Sequence, residues 1–521
     1  MRSALTLLVV LLAGPAFAGP AFAAPAFAGP GRDRFSAEFA GPVFTAALQF
    51  IAPRALEGVS IQQLALWGLR GVTTLDPVLL PELRDGVVAL RRGGAVLFQH
   101  AAPAEGDAAA WGALASDLAA TAWAASTAMQ AEGSQAVITS FFDELFNHLD
   151  PYSRYVPPGA ADQNRARRSG EAGAGLQVGR VGQAFVVQGV NADGPGAEAG
   201  IRIGDQITAV DDQPTRGEDL PTVLGWISGL EGTDLSLTVR SRNGRVRTVE
   251  IERAVLPPET VFTSRSGDTL VIRIAGFSSD TDQRLSRDLD RALPRAGGAG
   301  LPRAGGADLR GLVIDLRGNR GGLLRQAVAA TDLFLTAGII ATTAGRNPQA
   351  AHEWQAGRGD VAQGRPLVVL VDGRSASAAE IMAAALADQG RGVVVGSSTL
   401  GKGLVQTIVT LPDGGELFVS WSRVLAPRGW PIQGLGVLPQ ICTSLGADQL
   451  AQQLASLERG ASRLAAALAR HRAARAPLPT AEIIEQRNAC PAAEGRDADL
   501  ATARYLIAHP VAYAAARLSP P

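Results

Sequence analysis

Pro366-Leu367-Val368-Val369-Leu370-Val371-Asp372-Gly373-Arg374-Ser375-Ala376-Ser377-Ala378-Ala379-Glu380 is the stretch that decides the fold. Its first six residues form an apolar, β-branched run with no polar alternation, the pattern of a strand buried on both faces. A polar turn with a glycine follows, and then Ser377-x-x-Glu380 opens an alanine-rich run, the signature of a helix start. A buried strand that turns directly into a helix is one step of a parallel α/β sheet. Working outward, similar apolar runs lie at 270–274, 311–316 and 392–396, so a largely parallel sheet beginning near Val261 is expected. Between its first two strands Leu-Pro-Arg-Ala-Gly-Gly-Ala occurs twice, from Leu293 and from Leu301, as a duplicated loop insertion.

The same junction carries the chemistry. A strand–turn–helix corner presents a side chain at the sheet edge, and helix N–H groups beside it favour developing negative charge. Ser377 stands there, although Ser-x-x-Glu by itself describes a helix cap. Of the 48 Lys and Arg residues, Lys402 alone is lysine, and it follows Ser377 by 25 positions in Gly401-Lys402-Gly403. Arginine keeps its proton in proteins, whereas a desolvated lysine can lose it and act as a general base. Ser377 and Lys402 are therefore a candidate nucleophile and base.

On the N-terminal side the pattern changes. From Glu171 to Arg253 short strands are expected at 184–190, 206–211, 235–240 and 245–252, with Asn243-Gly244 as a hairpin turn and a helix over 218–230. Residues 37–149 read as helical, ending at Asp150-Pro151, and a polar, Arg-rich connector covers 160–170. The first residues read as an export leader, with Arg2, an apolar stretch over 4–12 too short to span a bilayer, and Ala-Phe-Ala cleavage sites at Ala18, Ala23 and Ala28. In the oxidising compartment this implies, Cys442 and Cys490, 48 positions apart, could pair, or could equally remain buried thiols. After Gln440 the chain is Ala-rich and helical, and its end reads as a surface extension. The 521 residues are 46% hydrophobic with a formal net charge of −1, which gives room for roughly two to four domains and no electrostatic case for nucleic acid.

At these residues the sequence resembles the C-terminal processing peptidases, or tail-specific proteases. Ser375 to Glu380 is similar to the family's nucleophile segment, with Ser377 as nucleophile, and Thr399 to Gly403 to the segment of the base, with Gln406 in the place of a glutamine that orients the lysine. Asp315 to Gly322 resembles a glycine-rich turn, which implies an oxyanion hole from Gly322 and Ala378 N–H groups. Gly173-Ala174-Gly175-Leu176 resembles a PDZ carboxylate loop, and Ala199 to Ile207 that domain's central turn; Asp150-Pro151-x-Ser153-x-Tyr155 is also similar to a family segment.

The resemblance spans about 149–440 and departs at Gln440, where aspartate is usual, and at Leu400, where phenylalanine is common. It implies an α/β, crotonase-like Ser-Lys protease core with an inserted β-rich PDZ domain and helical N- and C-terminal regions. The boundaries read are leader 1–28, N-terminal region 29–165, PDZ domain 166–256, protease core 257–440 and C-terminal extension 441–521. The implied activity is an exported endopeptidase at the periplasmic or extracellular side of the inner membrane, acting on proteins or peptides with accessible C-terminal tails. It needs no cofactor, metal or nucleic acid, and there is room for a regulatory adaptor and a homo-oligomer.

Three other arrangements compete. None of His100, His148, His352, His471 and His509 sits in a motif with a serine and an acid. Gly396-x4-Gly401-Lys402 fits a phosphate loop until Gly403, where Ser or Thr should hold magnesium, and it runs into a strand-like segment. A catalytically silent peptide-binding module would have no use for its single lysine.

Overall fold

The computed structural model describes residues 34–169, 171–191, 194–293 and 309–520. The leader at 1–28 lies outside them, as does the duplicated insertion apart from its first residue, Leu293.

The core is a six-stranded sheet in the order Val261–Ser266, Thr269–Ile274, Gly311–Asp315, Leu367–Val371, Val393–Gly396, Ile441–Cys442. The first two strands form an antiparallel hairpin and the others add in parallel. Period-two alternation splits these apolar strands between two layers. Leu312, Ile314, Leu367, Val369, Val371 and Val394 face a layer holding the helices Thr281–Ala292, Leu324–Asp332 and Ala378–Asp388. Val313, Val368, Leu370, Val393 and Val395 face the opposite layer, where Leu457, Ala503, Leu506, Ile507 and Tyr513 cover them.

Those covering residues come from the C-terminal helices Ala447–Glu458, Asp497–Ala508 and Pro510–Ala516. The chain end is thus a structural layer and not the surface extension expected: parallel strands apolar on both faces must be covered on both. The disulfide Cys442–Cys490 ties this extension to the last strand.

A second sheet, in the order His352–Gln355, Ile339–Ala344, Glu416–Leu425, Leu404–Thr410, with Arg154–Val156 on Glu416–Leu425, lies beside the core and receives the N-terminal region. Leu411, Leu417 and Val419 join the apolar cluster of the helices Ala37–Ile51, Ala108–Ala125 and Ser134–Phe146. That region is not wholly helical as expected. Leu79–Arg84, Val87–Arg92 and Ala95–Ala101 make an antiparallel meander whose first turn, Asp85-Gly86, has φ of 52° and 74°. Two adjacent positive φ values are what a tight hairpin needs, and Asp-Gly supplies them. The expected connector at 160–170 is in large part the helix Pro158–Ser169.

The β-rich unit orders its strands Val246–Glu252, Asp234–Arg240, Gln206–Val210, Ala184–Val190, Leu176–Val181, with the helix Leu220–Ile227 packed on them. Leu176–Val181, whose first residue closes the carboxylate-loop resemblance, is a strand at the edge of this sheet.

Candidate active site

Three turns at the C-terminal ends of the parallel strands meet at one place. The turn after Leu367–Val371 is locked by Asp372, whose Oδ1 accepts from the N–H groups of Gly318, Arg374 and Ser375 at 2.9, 3.0 and 3.0 Å. Ser375 is a tie and not a reactive group: its hydroxyl donates to Leu316 O at 2.8 Å. Ser377 follows with φ of 56° and ψ of −116°, immediately before the helix Ala378–Asp388. A non-glycine residue held there costs about 1–3 kcal/mol, supplied by surroundings that fix it.

The glycine turn Gly318–Gly322 presses against this corner. Ala376 N–H donates to Asn319 O at 2.9 Å, and the buried Asn319 side chain holds both Gly321 N–H and Ile274 O at 2.8 Å. A Cβ on Gly321 would lie 2.9 Å from Ser377 Cβ and 3.0 Å from Ala378 N, and one on Gly322 only 2.2 Å from Phe277 O. Glycine is required at both because backbone meets backbone there. Among the described residues no hydrogen bond engages the N–H of Gly322 or that of Ala378.

The third turn carries Lys402. Its backbone and that of Ser377 share one acceptor: Glu380 Oε2 takes Ser377 N–H at 2.7 Å and Lys402 N–H at 2.9 Å. Oε1 takes Gly401 N–H at 2.6 Å and the Thr399 hydroxyl. Glu380 is fully buried, and burial raises its pKa while these four donors pull the other way. Ser-x-x-Glu reads as a capping box in sequence; the structure adds the far side of the carboxylate, bound to the turn that carries Lys402.

Lys402 itself is half-buried, its ammonium 5.0 Å from the centre of the Tyr152 ring. Burial lowers its pKa and Arg154 lowers it further, against opposing pulls from Asp150 and Glu380. No hydrogen bond joins Lys402 Nζ to Ser377 Oγ among the described residues. Gln406, expected to orient the lysine, donates instead to Tyr152 O at 2.5 Å, so its grip on Lys402 runs through the residue whose ring faces the amine. Tyr152 and Arg154 had no assigned role from sequence, though both belong to the Asp150–Tyr155 segment. Asp150 anchors that segment, accepting from Tyr152 N–H at 3.0 Å and from the Ser420 hydroxyl at 2.6 Å.

The same bonds occupy N–H groups that a phosphate loop would offer at this turn. The N–H groups of Gly401 and Lys402 are committed to Glu380, and the next element is the strand Leu404–Thr410. Among the histidines, His471 is buried against Gly436 O, 3.0 Å from Nε2.

Gly173, Ala174, Gly175 and Leu176 lie apart from this site, on the wall of a cavity of about 700 Å³. Ala174 O accepts from Gly196 N–H and Gly175 O from Asn191 N–H, each at 2.8 Å, which fixes the course of the loop. Leu224 and Ile203 add apolar surface from the same unit, and Arg287 and Arg291 of the core helix Thr281–Ala292 close the far side.

An α/β core with a serine at a strained strand-to-helix corner, a half-buried lysine on a shared clamp and an inserted β-rich unit has the make-up of a serine-type peptidase. Residues 268–443 match Peptidase family S41 and residues 186–241 match a PDZ domain. The carboxy-terminal-processing protease of Bartonella bacilliformis is 33% identical over 309 residues, 59% of this chain and 69% of that one. The carboxyl-terminal-processing protease of Picosynechococcus is 33% identical over 298 residues, 56% and 69% of the two chains. Of solved structures, the photosystem II D1 C-terminal processing protease is 26% identical, with a TM-score of 0.34 over 61% of this chain and 86% of that one. The chain belongs to Peptidase family S41, as a carboxyl-terminal-processing serine protease with a PDZ domain.

Proposed function

We propose that the protein is an exported endopeptidase that holds the C-terminal tail of a substrate in its PDZ domain and cleaves with Ser377 as nucleophile and Lys402 as base. The tail adds as a strand to the edge Leu176–Val181, its terminal carboxylate on the N–H groups of the Gly173–Leu176 loop and its last side chain against Leu224 and Ile203. A rotamer change carries Lys402 Nζ from the Tyr152 ring to the Ser377 hydroxyl and removes its proton as Ser377 Oγ bonds to the peptide carbonyl carbon. The carbonyl oxygen becomes an oxyanion taken by the unengaged N–H groups of Gly322 and Ala378. The lysine then gives its proton to the leaving amine as the C–N bond breaks, and water hydrolyses the acyl-serine by the same route. In this reading the core is crotonase-like.

The observation that carries this reading is the single Glu380 oxygen that accepts both the Ser377 and the Lys402 amides, because it fixes nucleophile and base to one point. The leader at 1–28 and the Cys442–Cys490 disulfide support export to an oxidising compartment on the far side of the inner membrane. An unfolded substrate with a free apolar C-terminus tests the proposal against the same chain ending in a carboxamide. Cleavage of the first, weakened at least tenfold in the second, is expected. Equal cleavage of both would overturn tail recognition, and cleavage by the Ser377→Ala protein would overturn the nucleophile.

A further inference from the structure

The C-terminal segment from Arg487 to Asp499 touches each of the three active-site turns, although it lies beyond residues 268–443 that define the family match. At the nucleophile turn, Gly373 N–H donates to Ala493 O at 2.7 Å and Gly495 N–H to Asp372 Oδ2 at 3.2 Å. At the start of the base turn, Ser397 Oγ and Ala493 exchange hydrogen bonds in both directions, at 2.9 and 3.0 Å. At the glycine turn, Arg317 donates to Arg496 O at 2.8 Å and pairs with the buried Asp499 at 3.2 Å.

Arg487 makes the most direct of these contacts. Its guanidinium donates to Thr399 O at 2.8 Å and to Leu435 O at 2.9 Å. Thr399 in turn gives its hydroxyl to Glu380, and Gly434 N–H holds Gly401 O at 2.8 Å. A continuous chain of hydrogen bonds therefore runs from Arg487 through Thr399 to the carboxylate that seats Ser377 and Lys402. Arg487 is also a cationic neighbour of that buried carboxylate. Three residues on, Cys490 is bonded to Cys442 on the last core strand, which pins the segment in place.

We infer that Arg487 is a positioning residue for the Lys402 turn, and that the disulfide-pinned segment around it is needed for turnover and not for tail binding. The inference rests on the assignment of Ser377 and Lys402. A guanidinium holds the two carbonyls with two nitrogens in a fixed planar fork, whereas lysine keeps the charge without that fork, so lysine at 487 restores part of the effect. The test measures kcat and KM of Arg487→Ala and Arg487→Lys with a tail-bearing substrate, at a temperature where circular dichroism shows both folded. The Cys442→Ser/Cys490→Ser pair serves as a second route should Arg487→Ala not fold. Expected are a kcat lowered about 10- to 100-fold in Arg487→Ala, a KM within about twofold, and a Lys variant between Ala and wild type. The cysteine pair should show the same split between kcat and KM. A kcat within twofold of wild type in folded Arg487→Ala, or a Lys variant no better than Ala, would overturn the inference. The Ser377→Ala control separates the two levels: its inactivity beside a fully active Arg487→Ala sinks this inference alone, whereas its activity sinks the catalytic assignment beneath it.

Discussion

The helix that begins after Ser377, Ala378–Asp388, buries every one of its residues, whereas the helix beside the cavity of the PDZ domain, Leu220–Ile227, buries only Val223 and Ile227. The two sites differ in the same sense. Around Ser377 each turn is tied to the next by buried carboxylate or amide groups, Asp372, Asn319 and Glu380, and backbone meets backbone at Gly321 and Gly322. Around the Gly173–Leu176 loop there is an open cavity lined by half-exposed apolar side chains and by arginines from another domain. Attack on a carbonyl needs atoms placed to within about half an ångström, and buried hydrogen bonds provide that. Capturing unfolded tails of varied sequence needs an edge strand and a forgiving pocket.

Substitutions can break this contrast from either side. The largest effect is expected at the chemistry itself: Ser377→Ala and Lys402→Arg should each lower kcat by about 10⁴-fold or more with tail affinity unchanged, measured by binding of a labelled tail peptide. Arginine keeps the charge and cannot give up its proton. Next comes the clamp. Glu380→Gln turns one oxygen into an N–H donor facing the Ser377 and Lys402 amides or the Gly401 amide and Thr399 hydroxyl, and should lower kcat about 100-fold with little change in KM. In the groove the sign of the split reverses: Leu224→Asp should raise KM about tenfold and leave kcat alone, read from initial rates across substrate concentration.

The smallest effect concerns stability. Burial holds His471 at about 4, below its usual 6.5, so the unfolded chain binds a proton in that window that the native chain refuses. Stability from this residue is complete above pH 6.5 and is lost as pH falls toward 4, by on the order of 1 kcal/mol near the middle of that window, checked by urea titration of His471→Gln against wild type.

Much of this was legible in the chain. The apolar runs that became Gly311–Asp315, Leu367–Val371 and Val393–Gly396 lack polar alternation because both faces are covered, and that pattern is local. The lone lysine and the serine at a strand-to-helix corner are local as well. What was missed depends on partners distant in sequence. Glu380 reads as a cap because three of its four donors come from the turn at 399–402, and Arg487 reads as an ordinary helix end until Thr399 and Leu435 are placed beside it. The N-terminal meander was lost among strong helical periodicities on both sides, although Asp85-Gly86 was there to mark its turn. Gln406 was given to the lysine, and the neighbour that takes its amide, Tyr152, lies far upstream in the chain.

The central claim, that Lys402 activates Ser377 from a clamp both share, is tested most directly by the rate at which a fluorophosphonate labels Ser377, followed by mass spectrometry from pH 6 to 10. The wild-type rate should rise with pH and level off below the pKa of a free lysine, because burial and Arg154 depress that of Lys402, and labelling should vanish in Lys402→Arg. Labelling of Ser377 in Lys402→Arg at the wild-type rate would contradict the account.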